Sequence, residues 1–183
     1  MNRFAVTFRK AKDLLDKGSL GELVHFDAYA YSSDFLGIDT KSKSFARGGA
    51  LRDLGCHAID LALWFFGDLQ VTSSEPQHSA GIEVEKCFKV RSLSGLEGGF
   101  SVSRSMKNYR MPKIGLVIEG SEGILKVDDE RVDLKLNCGE SFLWYRHDLE
   151  DNVPFWLAAS EYFREDEYFI NSIRKGSNAE PSF

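Results

Sequence analysis

Asp53, His57 and Asp60 stand four and three residues apart within Gly48 to Gly67, GGALRDLGCHAIDLALWFFG. On a helix with about 3.6 residues per turn, that spacing sets all three on one side. Imidazole titrates nearest neutral pH, so the pattern points to His57 as a general acid or base, with Asp53 or Asp60 fixing its tautomer and supporting the imidazolium. A purely structural alternative uses the same residues: Asp53 faces the helix dipole in the first turn, while His57 and Asp60 make an ordinary i, i+3 surface pair. A metal reading is weaker, because one helix rarely supplies a full ligand set and His25, His78 and His147 show no coordinating pattern. No metal is expected. Nucleophilic catalysis is weaker still: there is no G-x-S-x-G elbow, and Cys56 points away from His57 on a helix.

The element that carries these residues has a second face. Leu51, Leu54, Ala58, Leu61 and Phe65 keep the three-four apolar rhythm of a helix packed on a core, which turns the acid-base residues sideways or outward. Gly55 costs such a helix about 1 kcal/mol relative to alanine, tolerable where a ligand or another backbone must come close. Upstream, SSDFLGIDTKSKSFARGG has no period and many small or charged residues, and predicts a loop leading into the helix. Its Lys41, Lys43 and Arg47, with Arg104, Lys107, Arg110 and Lys113 further on, are positioned to attract an anion, although scattered charges of this kind read first as solvated surface.

Around this helix the rhythm changes from segment to segment. Phe4, Phe8, Ala11 and Leu14 or Leu15 predict a first helix, with Asn2 as its N-cap and Gly18 as its stop. From Glu22 the period becomes two, predicting a strand with both faces partly covered. After Gly67, short runs separated by turn signals predict about six strands, LQVTSSEP, IEVEKCFKVRSL, LEGGFSVSRSM, PKIGLVIEG, GILKVDD and VDLKLN. A final helix over ASEYFREDEYFINSIRKG carries Tyr162, Phe163, Phe169, Ile170 and Ile173 on one stripe. Clustered strands with few helices predict an α+β domain: an open, mainly antiparallel sheet with helices on one face.

With 183 residues, 43% hydrophobic and 28% charged, the chain has the composition of a single globular domain spanning 1–183. A net charge of −5 argues against nucleic acid as a partner. Three widely spaced cysteines without a C-x-x-C pair suit a reducing cytoplasm. The N-terminus does not read as a secretory signal, and no run approaches the roughly 18 apolar residues of a membrane span. No G-x-G-x-x-G occurs, so a dinucleotide fold is not expected in this chain.

These segments resemble a known family. GGALRDLGCHAIDLALWFFGD is similar to the G-G-x-x-x-D-x-G-x-H-x-x-D signature in the second domain of the glucose-fructose oxidoreductase, inositol dehydrogenase and MocA (Gfo/Idh/MocA) family. NRFAVTFRKAKDLLDKGSLGEL resembles its N-x-R-F segment, helix and G-x-L-G-E turn, IEGSEGILKV its later G-x-x-G hairpin, and EYFINSIRKGSNAEPS its helix near the end, all in the family's order.

The resemblance implies the substrate and oligomerisation domain of an NAD(P)-dependent oxidoreductase acting on a sugar, polyol or related hydroxy compound. Asp53 and His57 then face substrate, His57 taking the hydroxyl proton and Asp53 orienting the sugar or tuning the imidazole. Asp60 matches the later acidic position, and with Lys43 and Arg47 it is an expected substrate-binding residue. The family's Rossmann domain and its E-K-P motif have no counterpart, so the chain alone is expected to bind no NAD or NADP and to be inactive until joined to that half. The resemblance also implies homo-oligomers through the uncovered sheet face. A second class stays open: a non-catalytic binding or oligomerisation module that keeps the sheet without the chemistry.

Overall fold

The computed structural model describes residues 1–34, 36, 49–74, 83–149, 153 and 160–180. A 3-10 turn, Asn2–Phe4, leads into helix α1, Val6–Asp16. Asn2 is not the N-cap expected of it: Ala5 takes that position, and Asn2 is buried in the preceding turn. Phe8 and Ala11 are fully buried, as their spacing requires.

Strand β1, Leu23–Tyr31, alternates as its period predicts. Phe26, Ala28 and Ala30 are buried on one side, while Asp27, Tyr29 and Tyr31 face the other. Val24 is 61% exposed despite its place in the apolar series, because the pairing register shifts between Leu23 and His25.

A π-helical turn, Leu51–Gly55, then runs directly into α2, Cys56–Phe66. The strands that follow are β2 Leu69–Ser74, β3 Glu85–Ser92, β4 Glu97–Ser103, β5 Lys113–Gly120, β6 Gly123–Asp128, β7 Arg131–Leu136 and β8 Ser141–Tyr145. The last helix is α3, Ser160–Lys175.

The strands form one eight-stranded sheet in the order β2-β3-β4-β1-β5-β6-β7-β8. Eight replaces the expected six or so. β8, SFLWY, has no apolar-polar alternation because it is a largely exposed edge strand, so a period-two reading passes over it. The sheet is mixed as well: β1 pairs with β4 in parallel, and every other pair is antiparallel. β1 and β4 therefore end at the same edge, where Ser32 N–H donates to the Ser103 carbonyl at 2.8 Å.

One face of the sheet carries the core. α2 packs on β1 and β5, α1 on β6 and β7, and the π-turn on β1 and β4. Phe26 stacks on Phe66 at 4.2 Å between ring centroids and meets Phe100 edge-on at 6.0 Å. Each such buried side chain contributes about 1.5–3 kcal/mol of transfer free energy. Phe26 reaches this place because Gly98 lies beneath it, where a Cβ would stand 2.2 Å from the ring.

α3 departs from its expected packing. Tyr162, Phe163, Phe169, Ile170 and Ile173 are all exposed, and the buried residues are Ser160 and Ser172. The helix rests on the Asn2–Phe4 turn, where Arg164 donates to the Phe4 carbonyl at 2.6 Å and the Tyr168 ring lies 5.6 Å from that of Phe4. Among the described residues, no helix is long and apolar enough to cross a membrane.

Candidate functional site

The signature residues begin where the parallel pair β1 and β4 ends. Glu83 sets the entry: its carbonyl accepts from Ala50 N–H at 2.7 Å and its Oε1 from Leu51 N–H at 3.1 Å. The π-turn then carries Arg52 and Asp53 before α2 starts. Such single wide turns inside a helix recur at functional sites. Leu54, Ala58, Leu61 and Phe65 are buried, as the apolar rhythm predicted.

The close approach at Gly55 comes from Val102. A Cβ on Gly55 would stand 3.0 Å from Val102 Cγ2 and from Leu51 Cδ1. The neighbour is a strand side chain, so the glycine lets the helix settle on β4 and does not open a path for a ligand.

Asp53 does not pair with His57. Its Oδ2 lies 2.8 Å from Nη1 of Arg104, a side chain only 7% exposed at the end of β4. Nη2 of Arg104 lies 3.4 Å from Oδ2 of Asp34, just beyond β1, and Ser32 donates to the same Asp34 oxygen at 3.2 Å. A buried guanidinium requires this, since an unpaired charge out of water costs several kcal/mol.

Asp60 is likewise engaged by an arginine. Nε and Nη2 of Arg3 donate to its two oxygens at 2.8 and 2.5 Å, and Nη2 also reaches its carbonyl at 3.2 Å. This fork ties α2 to the start of the chain. Beyond it lies a cavity of about 660 Å³ lined by Arg3, Phe4, Trp64, Arg164 and Tyr168.

His57 thus sits between two aspartates that are each held by an arginine. It is half-buried and has no hydrogen-bond partner among the described residues. Neither the expected tautomer-fixing contact nor the i, i+3 pair with Asp60 is formed. Lys43 and Arg47 lie outside the described residues.

Arg104, Asp34 and Glu85 complete the edge, and neither Asp34 nor Glu85 was singled out from sequence. Glu85 accepts from Ser105 at 2.6 Å and Ser103 at 2.8 Å, bonds that hold its carboxyl below the usual carboxylate range. Arg104 was read with the scattered surface cations. Its setting, S-V-S-R-S, has nothing local to tell a buried arginine from a solvated one. Cys56 stays a bystander, since desolvation pushes its thiol up and away from the reactive thiolate.

Residues 8–126 match the model of the GFO/IDH/MocA C-terminal domain. A search of curated proteins finds no match. Among solved structures, levoglucosan dehydrogenase in complex with NADH and L-sorbose aligns with a TM-score of 0.79 and 19% identity, over 98% of this chain and 57% of that one. An oxidoreductase from Agrobacterium radiobacter in complex with NAD+, L-tartaric acid and magnesium aligns at 0.73 and 14% identity, over 97% and 54%. An oxidoreductase domain protein from Kribbella flavida aligns at 0.75 and 19% identity, over 99% and 58%. At these identities the likeness is one of fold, and the chain spans a little over half the length of each of these structures. By the family match, which runs from α1 through the signature helix and most of the sheet, the chain belongs to the Gfo/Idh/MocA family through its C-terminal domain.

Proposed function

We propose that this chain is the substrate-binding and catalytic half of an NAD(P)-dependent dehydrogenase acting on a sugar, polyol or related hydroxy compound. The observation that carries the reading is a half-buried imidazole at His57, without a side-chain partner among the described residues, one turn after a carboxylate, Asp53, anchored by a buried arginine. His57 takes the hydroxyl proton of the carbinol being oxidised. Asp53 accepts a hydrogen bond from a hydroxyl of the substrate, its free oxygen remaining open to it. Asp60, with a side chain still 35% exposed beside Arg3, together with Lys43 and Arg47, binds more distant polar groups of the substrate. The names of the neighbours, which include sugar and NADH complexes, support this class.

The dinucleotide itself does not fit this chain. The sequence has no glycine-rich phosphate turn, and the start of the π-turn, where Leu51 N–H points out, is occupied by the Glu83 carboxylate, the wrong charge for a diphosphate. The nicotinamide, when bound in a whole enzyme, supplies the hydride acceptor, and another part of that enzyme holds it. Alone, the chain is inactive and does not bind NAD(H) or NADP(H) at micromolar levels.

The second reading, a non-catalytic binding or oligomerisation module, draws on the uncovered sheet face. There Tyr29 and Tyr31 stack at 5.2 Å and Tyr109 packs on Tyr31 at 5.3 Å, beside a cavity of about 400 Å³ lined by Asp27, Lys89 and Ser101. Under either reading this face joins two copies, and a monomer by analytical ultracentrifugation would count against it. Three exposed free cysteines favour a reducing cytoplasm.

The deciding experiment joins the chain to a dinucleotide-binding half from a relative and follows nicotinamide absorbance with sugars and polyols. In an active fusion, His57→Ala lowers turnover by about two to four orders of magnitude and leaves cofactor affinity unchanged. Near-normal turnover in that variant would remove His57 from the mechanism, and an inert fusion favours the second reading.

A further inference from the structure

We propose that Arg104 is a positioning residue of this site: by binding Asp53 it holds that carboxylate off His57, so that Asp53 acts as a fixed hydroxyl acceptor and His57 as an unpaired imidazole. The assigned roles rest on the dehydrogenase reading above. The geometry does not.

Asp53 and His57 stand four residues apart across the junction of the π-turn and α2, a separation from which an aspartate and a histidine ordinarily meet. They do not meet here, and the reason is the competitor. Arg104 follows β4, its backbone N–H donates to the Val84 carbonyl at 2.9 Å, and its side chain is buried. Its ion pair with Asp53 is made in a poorly solvated place, where opposite charges attract more strongly than in water. For Asp53 to turn to His57 it would have to give up a buried cation for a more exposed and weaker partner. Arg104 also gathers Asp34, so one guanidinium ties the π-turn to the ends of both parallel strands.

The chemical consequence concerns the division of labour. One Asp53 oxygen is committed to Arg104, leaving the other for a hydroxyl, and the side chain is 28% exposed. That arrangement suits a substrate with neighbouring hydroxyls, one held by Asp53 while the proton of the next passes to His57.

The test uses the chain as it is and needs no cofactor. Diethylpyrocarbonate modifies neutral imidazole, and mass spectrometry of peptides reads the rate at His57 against exposed His147, which lies away from α2. At pH 6.5, Arg104→Met slows His57 about fivefold relative to His147, because the freed Asp53 pairs with the imidazole and favours its unreactive protonated form. Arg104→Met with Asp53→Asn restores the original ratio, and Arg104→Lys keeps it. Asp53→Asn alone leaves the ratio where it was. The proposal is overturned if Asp53→Asn alone shifts the ratio twofold or more, since Asp53 would then already govern His57. It is equally overturned if Arg104→Met, folded by circular dichroism, leaves the ratio unchanged. If Arg104→Met does not fold, the Asp53→Asn measurement decides. These rates report the geometry whether or not the fused enzyme turns over, so the two readings fail separately.

Discussion

At the π-turn before α2 the buried guanidinium of Arg104 meets Asp53 at 2.8 Å, whereas at the turn between β6 and β7 the half-buried Asp129 lies near Asp128 and Glu161. In the first region a long-range partner compensates the charge and fixes the side chain. In the second, burial is the leading influence and the neighbouring carboxylates add to it, so the Asp129 pKa rises to about 6. A bond from the Ile114 N–H and the nearby Arg146 offset only part of this. The cations close by have other work. Arg146 holds Glu161 and donates to Ser160 at 3.1 Å, and Lys113 sits 3.0 Å from Asp128 and 3.5 Å from Glu130. A buried charge in this protein is therefore stable or strained according to whether tertiary structure delivers its counterion.

The sharpest way to break the first region is to remove the anion. Asp53→Ala removes the nearest carboxylate from the buried Arg104 and costs about 3 kcal/mol in urea unfolding at neutral pH. A loss below about 1 kcal/mol would mean that the other contacts of Arg104, Asp34 among them, satisfy the guanidinium. In the second region the sign reverses. The Asp129 pKa is raised from its ordinary 3.8, so the folded state holds that proton more tightly than the unfolded chain does. Its stabilising effect is present in acid and is lost as pH rises from about 4 to about 6. Asp129→Asn, which keeps an acceptor for the Ile114 N–H, stabilises the protein by about 2 kcal/mol at pH 8 and by almost nothing at pH 4. Equal effects at the two pH values would show that desolvation is not the cause. The smallest effect belongs to an intermediate case, the partly exposed Arg3–Asp60 fork. Asp60→Asn costs about 1 kcal/mol, less at high salt, and melting in low and high salt reads the difference.

Much of the fold was legible because it depends on neighbours along the chain. Val102 stands opposite Gly55 only after β4 has been laid against the π-turn, so the glycine was visible in the sequence but its reason was not. β8 was passed over since an exposed edge strand has no buried face to impose alternation. α3 was correctly read as a helix, yet its apolar stripe does not mark its side of contact. Its apolar stripe stays exposed among the described contacts, while Ser160, Ser172 and Arg164 face the body of the domain.

The sequence by itself determined where α2 and β1 form and which of their sides is apolar, because helix and strand periods are set by steric limits within a few residues. Leu54, Ala58, Leu61, Phe26 and Ala28 are buried on those grounds alone. Only the tertiary structure decided what the acidic residues of the signature do. Asp60 meets Arg3 from 57 residues away because α2 packs against the Asn2–Phe4 turn, and Asp53 meets Arg104 just past β4 because β1 and β4 run in parallel and end beside the π-turn. Local spacing offered His57 two carboxylates, and two arginines brought from elsewhere in the fold, which bind a carboxylate more strongly than a half-exposed imidazole does, took them both.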